Sequence, residues 1–143
     1  AHLVRKGLRS FASINVRSAE VLDTHAFAVL IGVGATTVHA YLAEAAIADR
    51  HARGLAGTLT LDQCRANYRR AVDDGLLKIM AKMGIAVISS YRGGYNFEAV
   101  GLSRALVADL FPGMPAKISC EGYQSLFINA TENHAAAYDA RAT

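Results

Sequence analysis

One long segment limits the folds open to this chain more than any other. Between Thr60 and Gly84 the apolar side chains recur every three or four residues, the period of an α-helix with one buried face. Thr60 and Gln63 have the spacing of a capping box, and Gly84 is a typical helix end. The sequence therefore predicts a long amphipathic helix with one apolar stripe. This stripe consists of Cys64, Tyr68, Val72, Leu76, Ile79 and Met83.

Strand-like and helix-like segments alternate along the rest of the chain. Runs of apolar and β-branched residues predict strands at 11–16, 36–40, 85–90 and 117–119. Capped or alanine-rich stretches predict helices at 25–31, 42–51, 96–100, 104–111 and 123–138. Asp23 or Thr24 is the expected cap of the first of these helices, and Ser103 is the expected cap at Arg104. Residues 1–8 resemble the tail of a helix.

Strands separated by helices imply right-handed crossovers between parallel strands. We therefore expect an α/β fold with a mainly parallel sheet of three or four strands and covering helices. A closed barrel needs about eight strands. The sheet is thus either open or part of a larger (βα) barrel-like domain, and we expect the helical stripe to pack against it.

Composition excludes several classes of protein. The formal charge is only +3, and the basic residues are interleaved with Asp and Glu along the sequence. This pattern argues against nucleic-acid binding. The longest apolar stretch, 26–33, is far shorter than the roughly 20 residues that span a bilayer. Cys64 and Cys120 lie outside any Cys/His cluster, so neither a disulfide framework nor a zinc site is indicated. We expect one soluble domain in the reducing cytoplasm, with no membrane partner.

The loop Tyr91-Arg92-Gly93-Gly94-Tyr95 is the first candidate site. It follows the predicted strand 85–90, and ligands usually bind at the carboxyl ends of barrel strands. The planar guanidinium of Arg92 suits a phosphate or a carboxylate. The alternative is a glycine turn in which Arg92 forms a structural ion pair. We favour this alternative, because fold position alone is only analogy.

Other reactive side chains give weaker signals. Gly32-Val33-Gly34 lacks the third glycine of a dinucleotide fingerprint and follows a predicted helix, so a helix end explains both glycines. Cys64 is expected to be a buried thiol, and Cys120 has no nearby histidine to activate it. Ser89-Ser90 lacks the glycine-flanked turn of a hydrolase nucleophile. No metal-site spacing links the histidines, which are His2, His25, His39, His51 and His134.

Six motifs occur in one order along the chain. They are Asp23-Thr24-His25-Ala26-Phe27-Ala28-Val29-Leu30-Ile31-Gly32-Val33-Gly34-Ala35, Asn67-Tyr68-Arg69, Gly75-Leu76-Leu77-Lys78-Ile79-Met80-Ala81-Lys82-Met83-Gly84-Ile85, Ser90-Tyr91-Arg92-Gly93, Phe97-Glu98-Ala99-Val100-Gly101-Leu102 and Phe111-Pro112-Gly113-Met114-Pro115. Together they resemble the second half of the central domain in the large chains of glutamate synthases. The resemblance runs from Arg5 to Ser119, fades afterwards, and returns weakly at 134–139.

Glutamate synthases form two glutamates from glutamine, 2-oxoglutarate and a reductant, which is NADPH, NADH or ferredoxin. The resemblance implies that residues 1–119 belong to the central domain. It implies that residues 120–143 are a divergent, helical segment leading toward the flavin domain. The family's cysteine nucleophile, FMN and iron–sulfur cluster are expected in other regions. We therefore assign no catalytic, cofactor-binding or metal-binding residue to this chain, and we expect it to bind no cofactor.

The resemblance favours a scaffold role, with the chain as a fragment that begins in mid-structure. Its expected partners are the remaining domains of the enzyme and a reductase subunit or ferredoxin. The isolated chain is expected to be inactive. One alternative is a self-sufficient α/β binding or assembly module, with a homo-oligomer burying the open sheet edge. Another is a small-ligand enzyme that uses Arg92.

Overall fold

The computed structural model describes residues 1–139, in which short helices and strands alternate. The α-helices are α1 (His2–Arg5), α2 (Thr24–Gly32), α3 (Tyr41–Ala52), α4 (Leu61–Lys82), α5 (Ile88–Tyr91), α6 (Arg104–Leu110) and α7 (Tyr123–Ala137). The strands are β1 (Asn15–Arg17), β2 (Thr37–His39), β3 (Val100–Leu102) and β4 (Ile118–Glu121). Strand β1 pairs with β2 and β3 with β4, and both pairs are parallel. The predicted α/β class is therefore confirmed.

The chain forms two compact units. The first, Arg9–Asn96, contains β1, β2 and α2 to α5, and we call it the helical unit. The second combines residues 1–8 with the chain from Phe97 onward, and we call it the terminal unit. Each unit holds one two-stranded sheet. The prediction of one continuous sheet was therefore wrong, because the strand expected at 85–90 does not form.

The run at 85–90 continues from Gly84 as a loop and then enters the helical turn α5. This turn buries the ring of Tyr91, which is only 1% exposed. The Tyr91 hydroxyl donates a hydrogen bond to the Ala28 carbonyl at 3.2 Å. Strand propensity is a weak preference that packing overrides. Burial of this large ring accounts for the helical turn, and it leaves Val87 54% exposed.

The helix predicted at 96–100 was also wrong, because β3 begins there. The Ala99 amide donates to the Pro115 carbonyl at 2.8 Å, and the Ser103 amide donates to the Glu121 carbonyl at 2.7 Å. These two bonds flank β3 and tie it to the segment around β4. Backbone groups that a helix would satisfy internally are thus bonded to a neighbouring strand.

The other predicted helices were confirmed, with small shifts at their ends. Helix α2 begins after Asp23, whose carboxylate accepts the Ala26 amide at 2.9 Å. Helix α4 begins with the predicted capping box. The Thr60 hydroxyl accepts the Gln63 amide at 3.2 Å, and the Gln63 side chain accepts the Thr60 amide at 2.8 Å. The Ser103 side chain caps α6, as its position predicted.

In the helical unit, β1 and β2 lie side by side with Asn15 opposite Thr37 and Arg17 opposite His39. The Thr37 hydroxyl donates a hydrogen bond to the Asn15 side-chain oxygen. Strand β1 starts later than predicted, because residues 9–11 form a 3₁₀ turn. The outer residues of both strands are exposed and the middle residues are half-buried. One face of this sheet therefore lacks cover within the helical unit.

The stripe of α4 packs mainly against α2 and α3 rather than against the sheet. The reason is length, because a 22-residue helix spans about 33 Å and a three-residue strand about 10 Å. Val72 is buried as expected, and Met80, beside the predicted stripe, is buried as well. Met83 is 40% exposed, against the prediction, because α4 ends at Lys82. Tyr68 packs against a cluster that consists of Val21, Ala40 and Ala43.

Helices α2 and α4 come into close contact at Gly75. A Cβ atom on Gly75 would lie 2.5 Å from Thr24 Cγ2 and 2.6 Å from Thr24 Oγ1. Glycine inside a helix costs about 1 kcal/mol relative to alanine. The missing side chain at this position is therefore what lets the first turn of α2 approach the middle of α4.

The terminal unit has a small core that consists of Ala99, Leu106 and Val107. The Arg104 guanidinium donates to the carbonyls of Ala116 and Lys117, both at 3.1 Å, and so fixes the approach to β4. All four residues of β4 are exposed, and α7 has no buried residue. Across residues 1–139, no helix is both long and apolar enough to cross a membrane.

Candidate functional site

The loop at 91–95 is bound to the end of α2 through its backbone. The Gly93 amide donates to the Ile31 carbonyl at 3.2 Å, and the Tyr95 amide donates to the Gly32 carbonyl at 3.4 Å. Carbonyl groups in the last turn of a helix have no partner within the helix. The loop therefore completes the hydrogen bonding of α2. The glycine turn that we favoured for this segment is present, with Gly93 at φ +75.

The Arg92 side chain is half-buried, and its Nε makes no hydrogen bond. Among residues 1–139, no carboxylate forms an ion pair with Arg92. The predicted structural ion pair is therefore absent from the described residues. An anion at this loop would meet one guanidinium without help from the Gly93 and Tyr95 amides, because both amides already bond to α2.

The histidines are dispersed over several elements, as their spacing predicted. No group of three or more His, Cys, Asp or Glu side chains that could hold a metal occurs within the described part of the chain. His134 stacks on Tyr138, with ring centroids 4.7 Å apart. His39 lies at the end of β2, beside the cleft described below.

Two features of the chain bear on the redox groups expected of glutamate synthases, namely its cysteines and the 91–95 loop. Cys64 is half-buried, Cys120 is exposed, and both are free thiols. The common iron–sulfur clusters need about four cysteine ligands, and the sequence has two cysteines. An FMN phosphate needs several converging amide or basic donors. Arg92 offers one guanidinium whose neighbouring amides are already bonded.

A second candidate site lies at the carboxyl end of β2, and open parallel sheets usually bind ligands at the carboxyl ends of their strands. It is a cleft of about 230 Å³ between α2, α3, α4 and the end of β2. Its apolar lining includes Phe27, Val38 and Val72. Its polar lining includes His39, Glu44, Arg69 and Asp73. The cleft therefore combines an apolar wall with charges of both signs.

The charges of the cleft are only loosely paired. Arg69 Nη2 lies 4.0 Å from Glu44 Oε1, and both side chains are partly exposed. Asp73 follows Arg69 by four residues on α4, so the two side chains lie on the same face of the helix. No ion pair or hydrogen bond of the Asp73 carboxylate occurs among residues 1–139.

Tyr68 fixes one wall of this cleft. Its hydroxyl donates a hydrogen bond to the Leu22 carbonyl at 3.2 Å. Burial raises the pKa of Tyr68 above 10.0, and the negative charges of Glu44 and Asp23 raise it further. The side chain therefore stays a neutral hydrogen-bond donor over the physiological range.

Sequence reasoning did not identify this cleft, although part of the signal was present. Tyr68 and Val72 lie on the apolar stripe. Arg69 directly follows Tyr68, and Asp73 directly follows Val72. Opposite charges beside a buried stripe mark the edge of a helix, where a cleft can form. The partner groups on β2 and α3 come from distant positions, and no local pattern brings them to this edge.

The comparisons with known proteins agree with the motifs. The family profile described as "Glutamate synthase central domain" matches residues 1–103. The chain is 64% identical, over 138 residues, to the glutamate synthase [NADPH] large chain of Azospirillum brasilense, an alignment that covers 96% of this chain and 9% of the relative. It is 42% identical, over 129 residues, to the ferredoxin-dependent glutamate synthase of Pyropia yezoensis, with 82% and 8% covered.

A third relative is the glutamate synthase [NADH] of Saccharomyces cerevisiae, which is 34% identical over 149 residues. That alignment covers 99% of this chain and 7% of the relative. The chain thus spans less than a tenth of the length of each of these relatives. Since the family profile matches most of its residues, the chain belongs to the glutamate synthase central domain family.

Proposed function

We propose that this chain supplies scaffold of the central domain in a glutamate synthase, between the amidotransferase and FMN domains. The observation that carries the proposal is the 64% identity over 96% of the chain to a large chain of which it covers only 9%. In this proposal the formation of two glutamates from glutamine, 2-oxoglutarate and a reductant belongs to the parent enzyme. The residues of this chain position the domains that perform it.

Exposed strands support a scaffold role. Parallel sheets normally lie under cover on both faces. In the terminal unit Val100 of β3 is 67% exposed and Ile118 of β4 is 59% exposed. In the helical unit one face of the β1–β2 pair is exposed. Both small sheets therefore suit burial beneath further parts of a larger domain.

We assign residues 1–119 to the central domain and 120–143 to a segment that leads toward the flavin domain. The range that the family profile matches ends at residue 103, just after β3, although β4 pairs with β3. This pairing supports keeping β3 and the first half of β4 in one domain. The helical character proposed for 120–143 agrees with α7, while residues 140–143 lie outside the described part of the chain.

The cofactors and partners of the parent follow from the same proposal. FMN and the iron–sulfur cluster are placed in other domains, since the residues here fit neither. The relatives are named for NADPH, ferredoxin and NADH, so the electron donor varies within the family. The proposed partners are the remaining domains, with a reductase subunit or ferredoxin as the electron source. The proposed compartment is the cytoplasm.

A chimaeric enzyme tests this proposal. The matching segment of the Azospirillum brasilense large chain is replaced by this sequence, and glutamate formation and FMN content are measured. We expect an assembled enzyme that retains most of its activity. The matched control carries Gly75→Val in the transplanted segment, which should reduce assembly because the new side chain collides with Thr24.

Two results contradict the scaffold role. One is a folded chimaera that binds FMN normally and forms no glutamate. The other is an isolated 143-residue chain that retains flavin or forms glutamate by itself. Light scattering on the isolated chain distinguishes the scaffold role from the alternative of a self-sufficient assembly module. A compact and stable dimer would indicate the assembly module.

A further inference from the structure

The cleft at the carboxyl end of β2 presents charges of both signs to one small volume. Arg69 and Glu44 form a long ion pair among its lining residues, and Asp73 lies one helical turn from Arg69. All of the lining residues belong to the helical unit. This arrangement forms within one compact unit and needs no contribution from the rest of the chain.

These charged groups are available to a ligand. The Asp73 carboxylate has no ion pair among residues 1–139, and the 4.0 Å separation of Arg69 and Glu44 is at the limit of an ion pair. Exposed ion pairs contribute little to stability, because water solvates both partners well. A ligand can therefore replace the Arg69–Glu44 contact at small cost.

The mixture of signs selects among ligands. A simple anion on Arg69 would be repelled by the carboxylates of Glu44 and Asp73. A simple cation on Asp73 would be repelled by the guanidinium of Arg69. A zwitterion satisfies both, since its carboxylate can bind Arg69 while its ammonium group binds Asp73. Single-charge ligands are thus disfavoured by the same geometry that suits a zwitterion.

The apolar lining and the size of the cleft narrow the ligand class. Phe27, Val38 and Val72 offer a surface for a short apolar side chain. The cleft volume of about 230 Å³ is below the roughly 300–1,000 Å³ of common small-molecule pockets. We infer that this cleft is a binding site for a free α-amino acid with a short apolar or linear side chain. The inference stands independently of the scaffold role.

The test uses L-norvaline as the probe, with the polypeptide that the gene encodes. Binding is followed by isothermal titration calorimetry and by saturation-transfer NMR. Pentanoate and butylamine are the matched single-charge analogues, because each keeps the apolar stem and lacks one charged group. We expect saturable binding of L-norvaline, and binding of both analogues at least about tenfold weaker.

The chain itself supplies matched control variants. Arg69→Gln and Asp73→Asn should each weaken L-norvaline binding by at least about tenfold. The pair Arg70 and Asp74 has the same four-residue spacing on α4, lies 3.7 Å apart, and does not line the cleft. Arg70→Gln and Asp74→Asn should therefore leave binding unchanged. Any amino acid bound elsewhere on a longer polypeptide is unaffected by all four changes.

Several outcomes overturn the inference. They are absence of saturable binding, equal binding by all four variants, and binding of pentanoate or butylamine as tight as that of L-norvaline. Circular dichroism of each variant guards against loss of folding. If Asp73→Asn unfolds, Asp73→Glu keeps the charge but displaces it, and binding that is insensitive to this displacement also overturns the inference. These binding measurements do not depend on whether the chain has the proposed scaffold role.

Discussion

The helical unit and the terminal unit reach order by different means. In the helical unit α4 packs against α2 and α3, and the ring of Tyr91 is buried. In the terminal unit, described to residue 139, the core consists of a few side chains around α6, while β4 is exposed along its length. The helical unit buries a large aromatic ring and α7 of the terminal unit buries no residue, although both units expose large apolar side chains.

The last helix of the terminal unit has no buried face among the described residues. Isolated helices shorter than about 15 residues are marginal in water, because most helical stability comes from packing one apolar face. Helix α7 has 15 residues and none of them is buried. Its Phe127 is 71% exposed. We therefore expect a further part of a larger protein to cover this helix.

The largest expected difference between the units is the cost of removing one aromatic side chain from each. Tyr91→Ala should cost about 3–5 kcal/mol of the free energy of unfolding, because it empties a filled space in the helical unit. Phe127→Ala should change it by less than about 0.5 kcal/mol, because its ring is largely in water. Urea denaturation followed by circular dichroism measures both. Equal costs at the two positions would remove the contrast between the units.

A medium effect is expected at the contact between α2 and α4. Gly75→Ala should lower the free energy of unfolding by about 1–2 kcal/mol, since overpacking outweighs the gain in helix propensity. Adding Thr24→Ala removes the two closest atoms, so the cost of Gly75→Ala should fall by more than half in that background. A double-mutant cycle measures this coupling. Independent, additive effects would mean that the helices do not meet at Gly75.

The smallest expected effect is a dependence on alkaline pH. Burial, assisted by Glu44 and Asp23, raises the pKa of Tyr68 in the folded state above its unfolded value of 10.0. The stability linked to this raised pKa is fully present below pH 10.0 and is lost as the pH rises through the folded-state pKa. Tyr68→Phe should therefore flatten the alkaline loss of stability, as measured by urea midpoints between pH 8 and pH 11.

Tyr123 in the terminal unit is the matched comparison for that measurement. The pKa of Tyr123 is raised mainly by its hydrogen bond with Asp109. Burial and the Asp109 charge make smaller contributions. Its side chain is exposed, and water screens such a contact. Tyr123→Phe should change the alkaline slope less than Tyr68→Phe. The opposite order would show that the terminal unit is the better packed of the two.

Local signals predicted most of the helices and three of the four strands, and they failed at 85–90 and 96–100. The capping box at Thr60 and the caps at Asp23 and Ser103 form as expected, because each depends on residues three positions apart. The run at 85–90 was misassigned, because its conformation is set by burial of Tyr91 against α2, far away in sequence. The cleft was missed for a related reason. His39, Glu44 and Arg69 meet only after three elements have packed together.

The bonds from the 91–95 loop to α2 have a consequence for motion. Glycine-rich loops usually exchange their amide hydrogens quickly with solvent, because their backbone opens easily. Here the amides of Gly93 and Tyr95 are bonded to the carbonyls of Ile31 and Gly32. Their hydrogens can exchange only when these bonds to the last turn of α2 open. Slow exchange of these two amides should therefore indicate that their bonds to the last turn of α2, about 60 residues earlier in the chain, are intact.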